Sequence, residues 1–419
     1  MKRRERPLKK LNQISIHKMK TILKLLPAAF LLFLFSCNNT EEKKESDHHQ
    51  IVDQQLTLEQ KYGANKGINE MAHFIAGMPL DSGSGELNSL IYDSAYSEFK
   101  KNFNKGWVKF DTTRIKPIAP WRATELQNTS DSKTLFYPFS GPDFLYANAF
   151  FPDAENIVMI GLEPVGSMPD AKDFKKEELR NYFSTVSTSL FAIFNYSFFR
   201  TLAMKNDLTN HAVDGTFQII ALFMARNNFS LLQSRYITVD TSGNIITHNS
   251  KDSLQKNKGI EITYCKTGSR LLRHLYYWQA NLGNEAYYDK DTKKHFDSLK
   301  KNRAFMNYLN ALPACNTYIK SASYLLHYGA FSMMRELLLK KSVVLLQDDS
   351  GIPYHFFEKD KWNITLYGSY HKPGKPFEEM SAEADLMKAY HDTNPKPLPF
   401  GIGYSIFKST SNLLLAKRK

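Results

Sequence analysis

From residue 57 onward, apolar residues recur at helical spacing. LTLEQKYGANKGINEMAHFIAGM places Ile68, Met71, Ala72 and Ile75 on one face, and LNSLIYDSAYSEFKKNFNKGW does the same with Leu87, Leu90, Ile91, Ala95 and Phe99. PLDSGSGE between them reads as a loop, with Asp81 or Ser82 capping the second of these helices. Pro117 and Pro120 are expected to close the block as an extended connector, so residues 57–127 read as a helical cap. The period changes at Thr134. In TLFYPFSGPDFLYANAFFPDAENIVMIGLEPVG, Leu135–Phe139 is a short apolar strand and Ser140-Gly141-Pro142-Asp143 turns the chain. A helix over about Asp143–Phe151 comes next, with proline at its first position. Asn156–Leu162 is then a buried-type strand, and Glu163 stands where it ends. Strand, helix and strand in that order imply parallel pairing through a right-handed crossover.

The remaining pattern alternates between helix and strand. KDFKKEELRNYFSTVSTSLFAIFNYSFFRTLAMKND predicts one or two long helices, apolar nearly all round over Leu190–Phe199 and so buried. HAVDGTFQIIALFMARNN predicts another. SRYITVDTSGNIITHNS reads as a hairpin, and KNKGIEITYCKTGSRLLRHLYYWQANL as a second strand pair. Together these four strands suggest an antiparallel insertion over about residues 234–282. Phe296–Leu312 and Phe331–Lys341 read as helices, and Asn316–Ser323 and Ser342–Gln347 as strands, the last ending at Asp348-Asp349. Asn363–Tyr370, Pro399–Ile406 and Asn412–Ala416 complete the set as closing strands. The expected class is α/β, with a Rossmann-like, mostly parallel sheet over residues 128–419 carrying the β insertion. The 29 Phe, 22 Tyr and 4 Trp supply ample apolar area for one large domain or two intimate ones.

Charge changes the picture only once the N-terminus is set aside. Lys20 and Lys24 precede the apolar run Leu25–Phe35, which ends at Ser36-Cys37. A basic flank, a short apolar run and a small residue make a secretory signal, and the run is shorter than the roughly 20 residues a spanning helix needs. Leu34-Phe35-Ser36-Cys37 resembles the lipobox of bacterial lipoproteins. The resemblance implies a lipid on the Cys37 thiol, cleavage before it, and a membrane partner through that anchor. Asn38 after the cysteine favours the outer membrane, and Glu41-Glu42 resembles a surface-export signal. Residues 37–56 are polar and read as a flexible tether. Met19 stands directly before Lys20, which suggests that translation starts there rather than at Met1. Residues 1–36 carry nine of the 55 basic groups and one of the 42 acidic ones, so the remainder has 46 − 41 = +5. That mild charge gives no case for nucleic-acid binding, which needs a concentrated basic face.

After Cys37, only Cys265 and Cys315 remain. One disulfide is possible in an oxidising compartment, but their apolar surroundings (ITYCKT, LPACNT) favour two buried thiols.

The order of elements is similar to that of class I S-adenosylmethionine-dependent methyltransferases. These have a strand with a glycine turn, a helix, and a second strand ending in an acid. In this chain a later strand–helix–strand (NTYIKSAS, FSMMRELLLKK, SVVLLQDD) and an antiparallel hairpin come after them. The resemblance implies that Ser140, Gly141 and Asp143 form the loop beneath the methionine part of the cofactor and that Glu163 binds the ribose hydroxyls. Here one glycine is followed by proline, which removes an N–H and adds bulk, and the exported address offers no supply of that cofactor. The expectation is a methyltransferase-like scaffold without the chemistry. FYPFSGPDFLYANAFFP, LQDDSGIPY and PLPFGIGY also resemble segments of bacterial proteins to which no activity is attached.

Other chemistry is weaker. Asp349-Ser350-Gly351 resembles half of the aspartic-protease signature, and Asp240-Thr241-Ser242-Gly243 is a near match for the other half. Asp348, Asp349, His355 and His371 are metal-ligand types, but their spacing fits no compact ligand pattern. Ser140–Asp143, Glu163 and Asp348-Asp349 should all lie beyond the carboxyl ends of strands, where α/β sheets bind small-molecule ligands. Two functions are compatible with this: a non-catalytic envelope lipoprotein serving binding or assembly, or a transferase or hydrolase working in a strand-edge pocket.

Overall fold

Ten of the apolar runs pair into one sheet. The computed structural model describes residues 56–80, 85–127, 131–196, 213–250, 258–284, 303–404 and 407–419. Residues 1–55, on which the expected signal, Cys37 and nearly all of the expected tether fall, and Asp81 and Ser82 lie outside them. The strands are β1 (Thr134–Tyr137), β2 (Asn156–Gly161), β3 (Phe229–Val239), β4 (Ile245–His248), β5 (Lys258–Lys266), β6 (Arg273–Gln279), β7 (Cys315–Ile319), β8 (Ser342–Gln347), β9 (Trp362–Gly368) and β10 (Asn412–Arg418). Their order is β4-β3-β5-β6-β2-β1-β7-β8-β10-β9. The pairings of β6, β2, β1, β7 and β8 are parallel. The flanking strands pair antiparallel on both sides.

Four of the nine pairings are therefore parallel and five antiparallel, which makes the fold an α/β fold on a mixed sheet rather than the mostly parallel one expected. The strand–helix–strand unit at Thr134–Gly161 is parallel as read, Leu135 facing Ile157 and Phe136 facing Val158. The four-strand insertion is not self-contained. β6 pairs antiparallel with β5 on one edge and parallel with β2 on the other, so it belongs equally to the central block. A strand buried on both faces carries no local mark of its neighbours' direction.

Helices cover both faces. One face packs Leu135, Tyr137, Ile157 and Met159 against the N-terminal helices α2 (Lys66–Ile75) and α4 (Ser94–Phe110), then α6 (Phe144–Phe150), α7 (Lys176–Tyr196) and α8 (Phe217–Arg226). α3 (Leu87–Leu90) and α5 (Ile118–Glu125) complete that layer, while α1 (Leu58–Tyr62) buries Leu58 in a separate small cluster with Leu232 and Cys265. Phe74 and Tyr96 stack at 4.5 Å there, and Phe99 and Phe183 at 4.2 Å, so aromatic contacts join the cap to α7. The other face packs Phe136, Val158 and Ile160 against α9 (Arg303–Ala311), α10 (Ser332–Lys341) and α11 (Ala384–Asp392).

Four expectations fail locally. Pro117 does not open an extended connector; it starts α5, where a missing N–H costs nothing. The 87–99 stretch breaks into two helices because Asp93 caps the second, its carboxylate accepting from the Ala95 N–H. Within Leu190–Phe199, Leu190, Ala192 and Ile193 are buried but Phe191 is 56% exposed, and residues 197–199 lie outside the described set. Pro399–Ile406 forms no strand over its described residues. It is a loop, held by the Ile402 N–H donating to Ser411 Oγ at 2.9 Å. Among the described residues no helix is long and apolar enough to cross a membrane.

Candidate functional site at the carboxyl ends of the parallel strands

Reading outward from β1, the parallel strands run β1-β2-β6 one way and β7-β8 the other, so chain order reverses between β1 and β7. Open α/β sheets bind ligands in the crevice outside that point. Here the chain's own side chains occupy it. Asp143, 1% exposed, caps α6 by accepting from the Tyr146 N–H at 3.2 Å. Its other oxygen accepts from Tyr137 Oη at 2.8 Å and lies 2.6 Å from Lys320 Nζ, at the end of β7. Lys320 is 2% exposed on its side chain and sits 3.6 Å from the centre of the Tyr146 ring. Burial pushes the ammonium's pKa down, and the Asp143 carboxylate works against that fall.

Ser140 and Glu163 are likewise committed to the fold. The Ser140 N–H donates to the Ile160 carbonyl at 2.8 Å, and its hydroxyl accepts from the Ile160 N–H at 3.1 Å, which extends the β1–β2 ladder by one side chain. Glu163 is fully buried against the glycine loop: a Cβ on Gly141 would stand 3.1 Å from its Oε1. Tyr277 Oη donates to the Glu163 carbonyl at 2.9 Å. A carboxylate packed this way faces the protein rather than open ribose-sized space.

The Asp348-Asp349 pair lies just past β8. Asp348 accepts from the Ser321 N–H at 2.8 Å and from the Ser350 N–H at 3.0 Å. The Ala322 and Ser323 amides donate to Ser350 Oγ at 2.7 Å and Tyr404 Oη at 2.9 Å. Successive amides turned by left-handed residues form a polar concavity, and the Asp348 carboxyl accepts from its first amide. Asp349 accepts from Tyr324 Oη and, at 3.0 Å, from Asn412 Nδ2. Burial, then the neighbouring Asp348, pushes the Asp349 carboxyl up to about 7. Beside it lies a cavity of about 10 Å³, room for about one water, lined by Asp348, Asp349, Glu383, Tyr354 and Tyr390 among others.

The backbone is strained at the same edge. Five described non-glycine residues have φ between 53° and 59°, and four of them come after β1 (Phe139) or β7 (Ser321, Ser323, Tyr324). Left-handed backbone costs a bulky residue about 1–2 kcal/mol. Its concentration at the reversal point shows that packing there overrides local preference.

The structure thus brings Ser140, Gly141, Asp143 and Glu163 together beside β1 and β2, and Asp348 and Asp349 beside β8, all of them buried. Lys320, Tyr137, Tyr324, Tyr404 and Glu383 join them without any mark in the sequence. Only Asp143's cap was signalled, by the proline before it. The protease-like pair does not meet. Asp240 caps the β3–β4 turn, six strand positions from β8, or roughly 29 Å at about 4.8 Å per strand. Among the described residues no three or more His, Cys, Asp or Glu gather as a metal-binding group, so Asp348, Asp349, His355 and His371 do not converge.

No family model, no curated protein and no solved structure matches this chain.

Cys265 and Cys315 are both buried free thiols rather than a disulfide. Burial pushes their pKa values up to about 12 and about 11. In a Cys37→Ser chain neither should react with an aromatic disulfide reagent at pH 8 until denaturant is added, whereupon two thiols per chain should titrate.

Proposed function

We propose that the protein is a cell-envelope lipoprotein, anchored through Cys37, whose body is a methyltransferase-like, Rossmann-like scaffold serving binding or assembly rather than catalysis. Five parallel strands running third-second-first-fourth-fifth in chain order, followed by an antiparallel hairpin, support the scaffold reading. The observation that carries the functional reading is the Lys320–Asp143–Tyr137 cluster, which fills the crevice where such scaffolds hold a ligand. The packing of Glu163 against Gly141 agrees with it.

A second reading, a transferase or hydrolase using the strand edge, has one observation in its favour. A carboxyl tuned to about 7, as Asp349 is, suits general acid–base work near neutrality. The adjoining cavity, however, takes one water and not a substrate.

Two measurements test the proposal. A palmitate analogue fed to expressing cells should label the wild-type chain and not Cys37→Ala; equal labelling of both would refute the anchor. Melting with S-adenosylmethionine, nucleosides and divalent metals should show no shift. A saturable rise with S-adenosylmethionine would favour the enzymatic reading.

A further inference from the structure

Glu383 holds a position that neither reading uses. It precedes the first turn of α11 but does not cap that helix. Its carboxyl instead accepts from the Tyr354 N–H, at the start of a short 3-10 turn over Tyr354–Phe356. Its own N–H donates to Tyr370 Oη at 2.9 Å. It therefore ties three segments together: the turn after β8, the end of β9 and the start of α11. Its side chain and that of Asp349 line the same one-water cavity.

We propose that Asp349 and Glu383 form a proton-operated latch that holds the first turn of α11 and the Tyr354 turn against the end of β8 while the pair is protonated, and releases them when both carboxyls ionise. A second ionised carboxylate in a space this small has room for only one water to solvate it. It also faces like charge at short range, a situation in which two carboxyls cannot both ionise freely.

The surrounding groups do not relieve that charge. From the end of β8, Asp348 adds a third carboxyl beside Asp349. Lys320, from β7, acts on Asp348 and is already paired with Asp143. From the 3-10 turn after β7, Tyr324 donates to Asp349, while burial lowers His327 to about 4, so it supplies no positive charge near neutrality. From β10, Asn412 donates to Asp349 and is neutral. On the Glu383 side, Asp385 adds like charge, and His355 lies 3.8 Å from that aspartate, both exposed. Tyr370, Tyr390 and Tyr404 face the cluster as neutral hydroxyls. Burial, then Asp385 and Asp349, raises the Glu383 carboxyl to about 7, matching Asp349.

Linkage sets the sign. Unfolded Asp and Glu titrate near 3.9 and 4.3, so between about pH 4 and 7 the folded chain keeps protons that the unfolded chain has lost. The two carboxyls' contribution to closure is therefore full below about pH 4 and is lost as pH climbs through 7. Glu383 is the partly exposed member, at a helix start, and so it is the group that swings out to water. Tyr390 Oη, donating to the Tyr367 and Leu413 carbonyls, pins the far end of α11 so that only its first turn opens.

Amide hydrogen exchange of the full-length chain, corrected for intrinsic rates and compared at pH 5.5 and 8, tests this. Protection of the Tyr354, Glu383 and Met387 amides, which donate to the Glu383 carboxyl, Tyr370 Oη and the Glu383 carbonyl, should fall at least about tenfold, the factor corresponding to one pKa unit. Glu383→Gln keeps the acceptor for the Tyr354 amide and should remove the pH dependence, and Asp349→Asn should reduce it. Should Asp349→Asn fail to fold, Glu383→Gln decides alone. Protection that is constant or rises with pH, or a Glu383→Gln chain that still loses protection as wild type does, would overturn the latch.

Discussion

Lys320→Ala is expected to cost about 3–5 kcal/mol of folding stability, because it leaves Asp143 as an uncompensated buried charge. The pair is 1–2% exposed, with Nζ and Oδ2 2.6 Å apart and the Tyr146 ring over the ammonium. Urea denaturation of wild type, Lys320→Ala and Lys320→Met/Asp143→Asn measures the effect. The double variant should recover most of the loss: asparagine still caps α6 through its side-chain oxygen, while both charges are gone. A buried ion pair is commonly little better than its apolar replacement, so the informative quantity is the gap between single and double variants. A Lys320→Ala chain within about 1 kcal/mol of wild type would mean that the ammonium is not buried in solution.

Gly161→Ala should be the second large effect, about 2–3 kcal/mol. A Cβ there would collide with the Glu163 carboxylate, lie 2.7 Å from Tyr277 Oη and stand 2.9 Å from the Gly141 Cα. Side chains can yield, but the last contact is with backbone in the loop after β1. Gly268→Ala supplies the control. Its φ is +76° and nothing lies within 4 Å of its Cβ, so it carries backbone strain alone, about 1 kcal/mol. Equal losses for both variants, read from urea midpoints, would show that the close approach of β2 to the glycine loop adds nothing.

These two sites also show where sequence stops being informative. Asp143 was legible because a proline before a carboxylate ahead of an apolar run is a local signal. So was the parallel unit around it, since strand, short helix and strand leave one sterically favoured connection. Lys320 was not legible. In YIKSAS it reads as the polar end of a strand, and only the distant Asp143 and Tyr146 explain how a lysine can be buried there. Glu383 gave no sign because Ala384–Asp392 buries only Leu386, Ala389 and Tyr390, too sparse a stripe to announce a helix. The mixed sheet stayed hidden in β6, whose apolar and aromatic pattern says that it is buried but not that its two neighbours run in opposite directions. The left-handed Ser323 and Tyr324 have no glycine or asparagine to mark them, so the strain at the reversal point could be seen only once the fold was in hand.

Lys320, paired with Asp143, fills the crevice at the β1–β7 reversal. Amine accessibility reads that burial out. Reductive methylation of the native protein, followed by peptide mass spectrometry, should modify the exposed Lys101 and Lys105 while leaving Lys320 unmodified until denaturant is added. Modification of Lys320 at the rate of the surface lysines would mean that the crevice stands open to solvent and that Lys320 does not close it.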